Sequence, residues 1–184
     1  MARIELEHRK TWFVRMVEWS SRRMYRKVPD PAKVALHNRR VLVSTMLLEG
    51  SASRWKKLDP TLKALAVMMP SAQIGCSWCM DFGYWEFHHQ GVDPAKLRDV
   101  PGWRDSDVYT DLERAVMEYA EAMTVTPPTV TDEQVERLRQ DLTDEQLVEL
   151  TALVSLENFR SRSNAALGLT SQGFKEFCEL RPAT

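Results

Sequence analysis

The chain has 184 residues, 43% of them hydrophobic and 28% charged, a composition that supports one buried core and excludes a disordered or fibrous protein. Its 25 basic and 26 acidic residues leave a formal net charge of -1, so no overall field favours a phosphate backbone or an anionic membrane, and nucleic acid is not an expected partner. The longest near-apolar stretch, Leu62 to Met69, carries Lys63 and stops at Pro70; that is far short of the roughly 20 residues that cross a bilayer, and no membrane partner is expected.

In chain order, Arg3, Glu5, Glu7, His8, Arg9 and Lys10 stand where a secretion signal would be apolar, which predicts a cytoplasmic protein. Trp12, Phe13, Met16, Val17 and Trp19 give the first helix an aromatic stripe for packing on the main domain or on a neighbouring subunit. Residues 1–27 thus read as a helical extension and residues 28–184 as the domain. Val28-Pro29-Asp30-Pro31 breaks the first helix and caps a second that runs to about Glu49. Gly50 to Ser53 reads as a loop. Asp59-Pro60 starts a third helix through Leu62, Leu65, Ala66 and Met69, which Pro70 should end or kink.

After a loop over Ser71 to Gly75, Cys76 and Cys79 open a fourth helix that continues through Phe82, Trp85, Glu86 and His89 to Gly91. Val100-Pro101-Gly102-Trp103 is a turn. Leu112, Ala115, Val116, Tyr119, Ala120 and Met123 form the stripe of a fifth helix, Thr131 starts a polar-faced sixth, and Thr143 starts a longer seventh reaching about Leu167.

Three cysteines are too few for a secreted disulfide scaffold, whereas Cys76 and Cys79, spaced Cys-x-x-Cys, suit a redox or metal site in a reducing compartment. A helix N-terminus favours a thiolate there, and a second cysteine one turn along can trap the oxidised first one as a disulfide. The alternative is two small buried residues facing different neighbours. Zinc requires four ligands, and the sequence adds only His88 and His89, pointing largely off the Cys79 face, with His8, His37 and Cys178 distant along the chain. No metal and no cofactor is therefore expected, and Cys178 among Phe174, Phe177 and Leu180 reads as a packing residue.

From Val28 to Leu169 the chain resembles the carboxymuconolactone decarboxylase-like family that includes the AhpD-type alkylhydroperoxidases. The residues that carry the resemblance are Val28-Pro29-Asp30-Pro31, Leu58 to Ala66, Gly75-Cys76-Ser77-Trp78-Cys79, Trp103-Arg104, Asp111 to Ala115, Leu142 to Leu150 and Asn164 to Gly168. The resemblance implies an all-α, AhpD-like bundle of roughly seven or eight helices that forms a homo-oligomer: a dimer, trimer or hexamer. It also implies a peroxidase, a thiol-dependent oxidoreductase acting on a peroxide or small-molecule substrate with a protein or small-thiol reductant. By the same analogy Cys79 attacks the peroxide, while Cys76, the more exposed of the two, closes the disulfide and meets the reductant.

Peroxidase-type members carry a glutamate twelve residues before the first cysteine and a histidine four after the second, and here those positions are Ala64 and Gly83. General-base help is worth about 10²–10⁴ in rate, so slow chemistry is expected. Asp81 or Glu86 can be considered as a substitute acid or base, and Gly83 as the floor of a ligand pocket near Trp85 or Met80. Two other readings stand beside the oxidoreductase: a non-catalytic helical binding or interaction module, and a lactone-acid decarboxylase with Arg160 and Arg162 as its cationic clamp.

Overall fold

A computed structural model describes residues 2–179. The described residues form ten α-helices, one 3-10 turn and no strand. They are α1 (Trp12–Tyr25), α2 (Asp30–Ala35), α3 (Arg39–Ala52), α4 (Pro60–Ile74), α5 (Ser77–His89), α6 (Pro94–Asp99), α7 (Asp111–Thr124), α8 (Asp132–Arg139), α9 (Asp144–Ala166) and α10 (Glu176–Glu179), with the 3-10 turn over Val100–Asp105. No helix among the described residues is long and apolar enough to cross a membrane.

Helix α4 is the axis of the fold, packed against α9, α7 and α5. Every residue from Ala64 to Ser71 is buried, as the near-continuous apolar run requires of a helix surrounded by others. Asp59 starts it by accepting from the amides of Thr61 at 2.8 Å and Leu62 at 3.4 Å. Helices α7, α8 and α9 each begin with a capping box, from Thr110 to Glu113, Thr131 to Gln134 and Thr143 to Gln146. Glu149 on α9 fastens the α3–α4 link: its carboxylate accepts from Lys57 N at 2.9 Å and Leu58 N at 3.3 Å and pairs with Lys63 Nζ at 3.2 Å. Burial pushes that carboxyl up, but the two amides and the ammonium outweigh it and hold it below the usual range.

Four features of the chain depart from the sequence expectations. The second helix is two helices, because Asn38 leaves the helical region and its side-chain oxygen caps the amides of Arg40 and Val41, at 3.1 and 3.3 Å. Residues 50–52, expected as loop, complete α3. Pro70 does not end α4, which continues to Ile74, so most of the loop expected over Ser71 to Gly75 is helix; a mid-helix proline costs about 3 kcal/mol, which burial on every side offsets. Finally, α6 and α10 are not among the expected helices, and residues 2–11 form a strap without helix or strand ahead of α1.

The strap is tied down at both ends. Arg3 N donates to Leu167 O at 2.8 Å, the ring of His8 binds Lys33 O of α2, and the ring of His37, in the link after α2, binds Glu5 O of the strap, each at 2.7 Å. On α1 the inward residues are Val14, Val17 and Ser21, while Trp12 and Trp19 stay 73% and 66% exposed. Of the expected stripe, Trp12, Met16 and Trp19 therefore face away from the domain and Val17 faces it. Beside it, α3 leaves Val43, Met46 and Leu47 exposed.

Candidate active site

Gly75 ends α4 in the left-handed region, at φ 78°, and the chain turns back so that Cys76 N bonds Ser71 O at 2.9 Å. That turn sets Cys76 at the N-cap of α5, one helical turn from Cys79, with 5.3 Å between Cα atoms and a disulfide joining the two. Cys76 Sγ accepts from the amide of Cys79 at 3.2 Å, and Asn164 Nδ2 on α9 lies 3.4 Å from Cys79 Sγ. Each sulfur thus has one polarising N–H, from the helix terminus for Cys76 and from a side chain for Cys79.

Both cysteines are buried, Cys76 at 1% and Cys79 at 7% exposure. This corrects the expectation that Cys76 is the more exposed thiol: Ala2 and Leu6 of the strap, Val34 of α2, and Leu167 and Leu169 pack into the same cluster. The outer wall is aromatic. Phe82 stacks on Trp78 at 5.0 Å between ring centroids, meets Phe174 edge-on at 5.2 Å, and meets Tyr25 of α1 at 5.4 Å.

Phe174 is brought there by Asp81, the buried carboxylate that the sequence offered as an acid or base. It accepts instead from three backbone amides of the C-terminal segment, Gln172 at 2.8 Å, Phe174 at 3.0 Å and Lys175 at 2.8 Å, so its lone pairs serve as an anchor. Gln172 extends the anchor: its side-chain oxygen accepts from Trp78 Nε1 at 2.7 Å and Asp30 N at 2.8 Å.

Behind the disulfide, α9 presents a polar stripe with helical spacing: Glu157, Ser161 and Asn164. Glu157 is fully enclosed, and its carboxyl is met by Ser71 Oγ at 2.8 Å, Ser161 Oγ at 2.6 Å and Arg160 at 3.2 Å. Arg160 also grips Glu49 in a bidentate pair. Arg162 donates to Thr124 O at 2.6 Å. Both arginines proposed as a lactone clamp are therefore committed to the protein's own acceptors.

Glu86 joins this cluster without a hydrogen-bond donor among the described residues. Burial pushes its carboxyl up; Arg160 pulls it down, and Glu49 and Glu157 add to the rise, so the net direction is upward. The folded chain then holds this proton to higher pH than the unfolded chain, and stability falls as pH rises from the ordinary carboxyl range toward the folded value. Glu86→Gln is expected to flatten this dependence and add about 1 kcal/mol near neutrality, measured by urea unfolding at several pH values.

Ala64 and Gly83 are both buried. A Cβ built at Gly83 would meet Met68 Cγ at 3.5 Å, an ordinary contact. Gly83→Ala should accordingly raise stability by about 0.5–1 kcal/mol through helix propensity, read as an upward shift of the urea midpoint.

At the other end of α5 the structure does bring residues together that the sequence leaves apart: His88, His89 and Cys178 have ligand atoms within 4.8 Å of one another. The distance of Cys178 from the histidines along the chain is thus no guide to its place. Asn164, Glu157 and Gln172 were not singled out as site residues from the sequence, since they lie 85 or more residues from their partners on α4 and α5 or on residues with no motif of their own.

The sequence profile described as Carboxymuconolactone decarboxylase family matches residues 44–122. The uncharacterized protein YnjA of Escherichia coli (strain K12) is 32% identical over 164 residues, covering 89% of this chain and 90% of its own. Among solved structures, the alkylhydroperoxidase AhpD core, an uncharacterized peroxidase-related protein from Ralstonia eutropha JMP134, superimposes with a TM-score of 0.82 at 16% identity over 95% of this chain and 94% of that one. The debrominase Bmp8 gives a TM-score of 0.77 at 21% identity over 90% and 89%, and a variant of it has been solved in complex with 2,3,4-tribromopyrrole. At these identities the structural likeness is one of fold.

Proposed function

As the chain belongs to the carboxymuconolactone decarboxylase family, we propose that it is a thiol-dependent peroxidase cycling Cys79 and Cys76 between dithiol and disulfide. The observation that carries this is the placement of both sulfurs beside N–H donors at the start of α5. Cys79 thiolate attacks the peroxide O–O bond, forming a sulfenic acid and releasing an alkoxide that takes up a proton. Cys76 thiolate then attacks the sulfur of that sulfenic acid and closes the disulfide, expelling hydroxide, which takes up a proton from solvent as water. An external thiolate, from a protein or a small molecule, attacks the sulfur of Cys79, the slightly more exposed residue, Cys76 leaves as a thiolate stabilised by the helix terminus, and a second reductant thiol cleaves the mixed disulfide on Cys79 and restores the dithiol. The aromatic wall of Trp78, Phe82 and Trp85 favours an organic hydroperoxide over hydrogen peroxide.

The test is to reduce the chain, add one equivalent of cumene hydroperoxide and titrate thiols. Loss of two thiols per chain with a Cys76–Cys79 disulfide supports the reading; retention of both overturns it. In that case a non-catalytic binding module gains, which the burial of both sulfurs and the missing relay at Ala64 and Gly83 favour.

The same proposal places the protein in the cytoplasm, where thiol reductants are held reduced, and in a homo-oligomer. Trp12, Met16 and Trp19 on α1 and Val43, Met46 and Leu47 on α3 are large apolar side chains left in water, as an unpartnered subunit face would leave them. Sedimentation equilibrium should give a multiple of the chain mass, and Trp19→Asp with Leu47→Asp should return it to the monomer.

A further inference from the structure

The chemistry proposed for the disulfide makes no use of the cluster at the far end of α5. There, ligand atoms of His88, His89 and Cys178 lie within 4.8 Å of one another, with His88 and Cys178 half-buried and His89 exposed. His89 Nδ1 is 2.7 Å from the carbonyl of Trp85. A carbonyl only accepts, so Nδ1 carries the proton and Nε2 keeps its lone pair, the outer-sphere arrangement that orients a metal-ligating histidine. The ring of His88 is stacked on Tyr84 at 6.0 Å and that of His89 rests on Trp85 at 4.8 Å, so both imidazoles are supported from behind.

Two imidazoles and a thiolate are the donors of a tetrahedral site with one open position. A metal at about 2.0–2.3 Å from each would draw the donors to roughly 3.3–3.8 Å of one another. The adjustment needed is about one ångström. We propose that His88, His89 and Cys178 bind a divalent transition metal of the Zn²⁺ type and that the ion clasps α10 to the end of α5. The C-terminal segment would then be held over the disulfide at two points, Asp81 binding residues 172–175 and the metal binding Cys178.

The probe is Co²⁺, added anaerobically and without reductant to the chain with its Cys76–Cys79 disulfide intact, so that those sulfurs cannot ligate. The expected result is saturation at one ion per chain, with a thiolate-to-cobalt charge-transfer band and tetrahedral d–d bands, both removed by Zn²⁺. Cys178→Ser should abolish the charge-transfer band and weaken binding at least about 100-fold, beyond the about 10–100-fold attached to outer-sphere partners. The double variant His88→Gln, His89→Gln should weaken it as much while leaving the thiol in place, which serves if Cys178→Ser does not fold. Zn²⁺ should also slow amide exchange over residues 172–178 in the parent chain and not in the double variant. Absence of the charge-transfer band, its survival in Cys178→Ser, or unchanged exchange overturns the proposal.

Discussion

Cys79→Ser is expected to abolish peroxide consumption, whereas Cys76→Ser consumes one equivalent and stops with a sulfenic acid on Cys79. The two sulfurs differ in surroundings in a way that makes the variants unequal. Cys79 faces the amide of Asn164, a neutral donor that can stabilise a thiolate but cannot take its proton. Cys76 sits on the helix terminus, which suits the resolving and leaving thiol. Dimedone labelling of peroxide-treated Cys76→Ser, located by mass spectrometry, checks the assignment; label on neither variant, or only on Cys79→Ser, reverses it. Without a histidine at Gly83 or a glutamate at Ala64, the single-turnover rate should fall below that of a relay-equipped peroxidase by about 10²–10⁴.

Asp81→Ala should produce the largest loss of stability, about 3 kcal/mol, and with it much faster reduction of the disulfide by a small thiol. One carboxylate satisfies three backbone amides of a segment that has little other backbone bonding to the domain. Hydrogen bonds to a charged group are worth about 1.5–3 kcal/mol each, and the variant loses all three, with water recovering part. Phe174, fully buried against Trp78 and Phe82, loses its tether at the same time. Urea unfolding gives the stability and the rate of disulfide cleavage by dithiothreitol gives the exposure; a stable variant whose disulfide is still protected would mean that packing alone holds the segment.

How far the sequence speaks for this protein can be judged at α5. Its start was legible because Cys76 and Cys79 are a local signal, two like residues one helical turn apart at the head of an apolar run; the left-handed stop at Gly75 was not, since Ser71 to Gly75 reads as a loop whereas α4 runs on to Ile74. The helix starts at Thr131 and Thr143 were legible as local signals too, each with its glutamine three residues on. Asn38 was not read as a cap because the flanking residues continue a helical pattern on both sides. Pro70 misled because its local cost is outweighed by burial that depends on α5, α7 and α9 arriving around it. Asp81 was visible as a carboxylate, yet its partners are amides about ninety residues away, and main-chain donors leave no mark in a sequence. The same holds for Asn164 against Cys79, and for Cys178 against the paired histidines.

The strap over residues 2–11 and the segment over residues 172–175 both lie on the disulfide, and Arg3 bonds Leu167 across almost the whole length of the chain. Neither segment belongs to the helical core, and each is fastened through a small set of side chains, Asp81 and Gln172 for residues 172–175 and His8 and His37 for the strap; surface segments of this kind open more often than the core. On the proposed cycle, a reductant larger than the cover admits is expected to meet the sulfurs only during such openings, so that turnover would follow the fraction of time the segments stand apart rather than collision with a standing pocket. A ligand of the closed arrangement should then slow the proposed cycle without touching either cysteine, and a change that loosens the cover should speed it until the helices themselves give way.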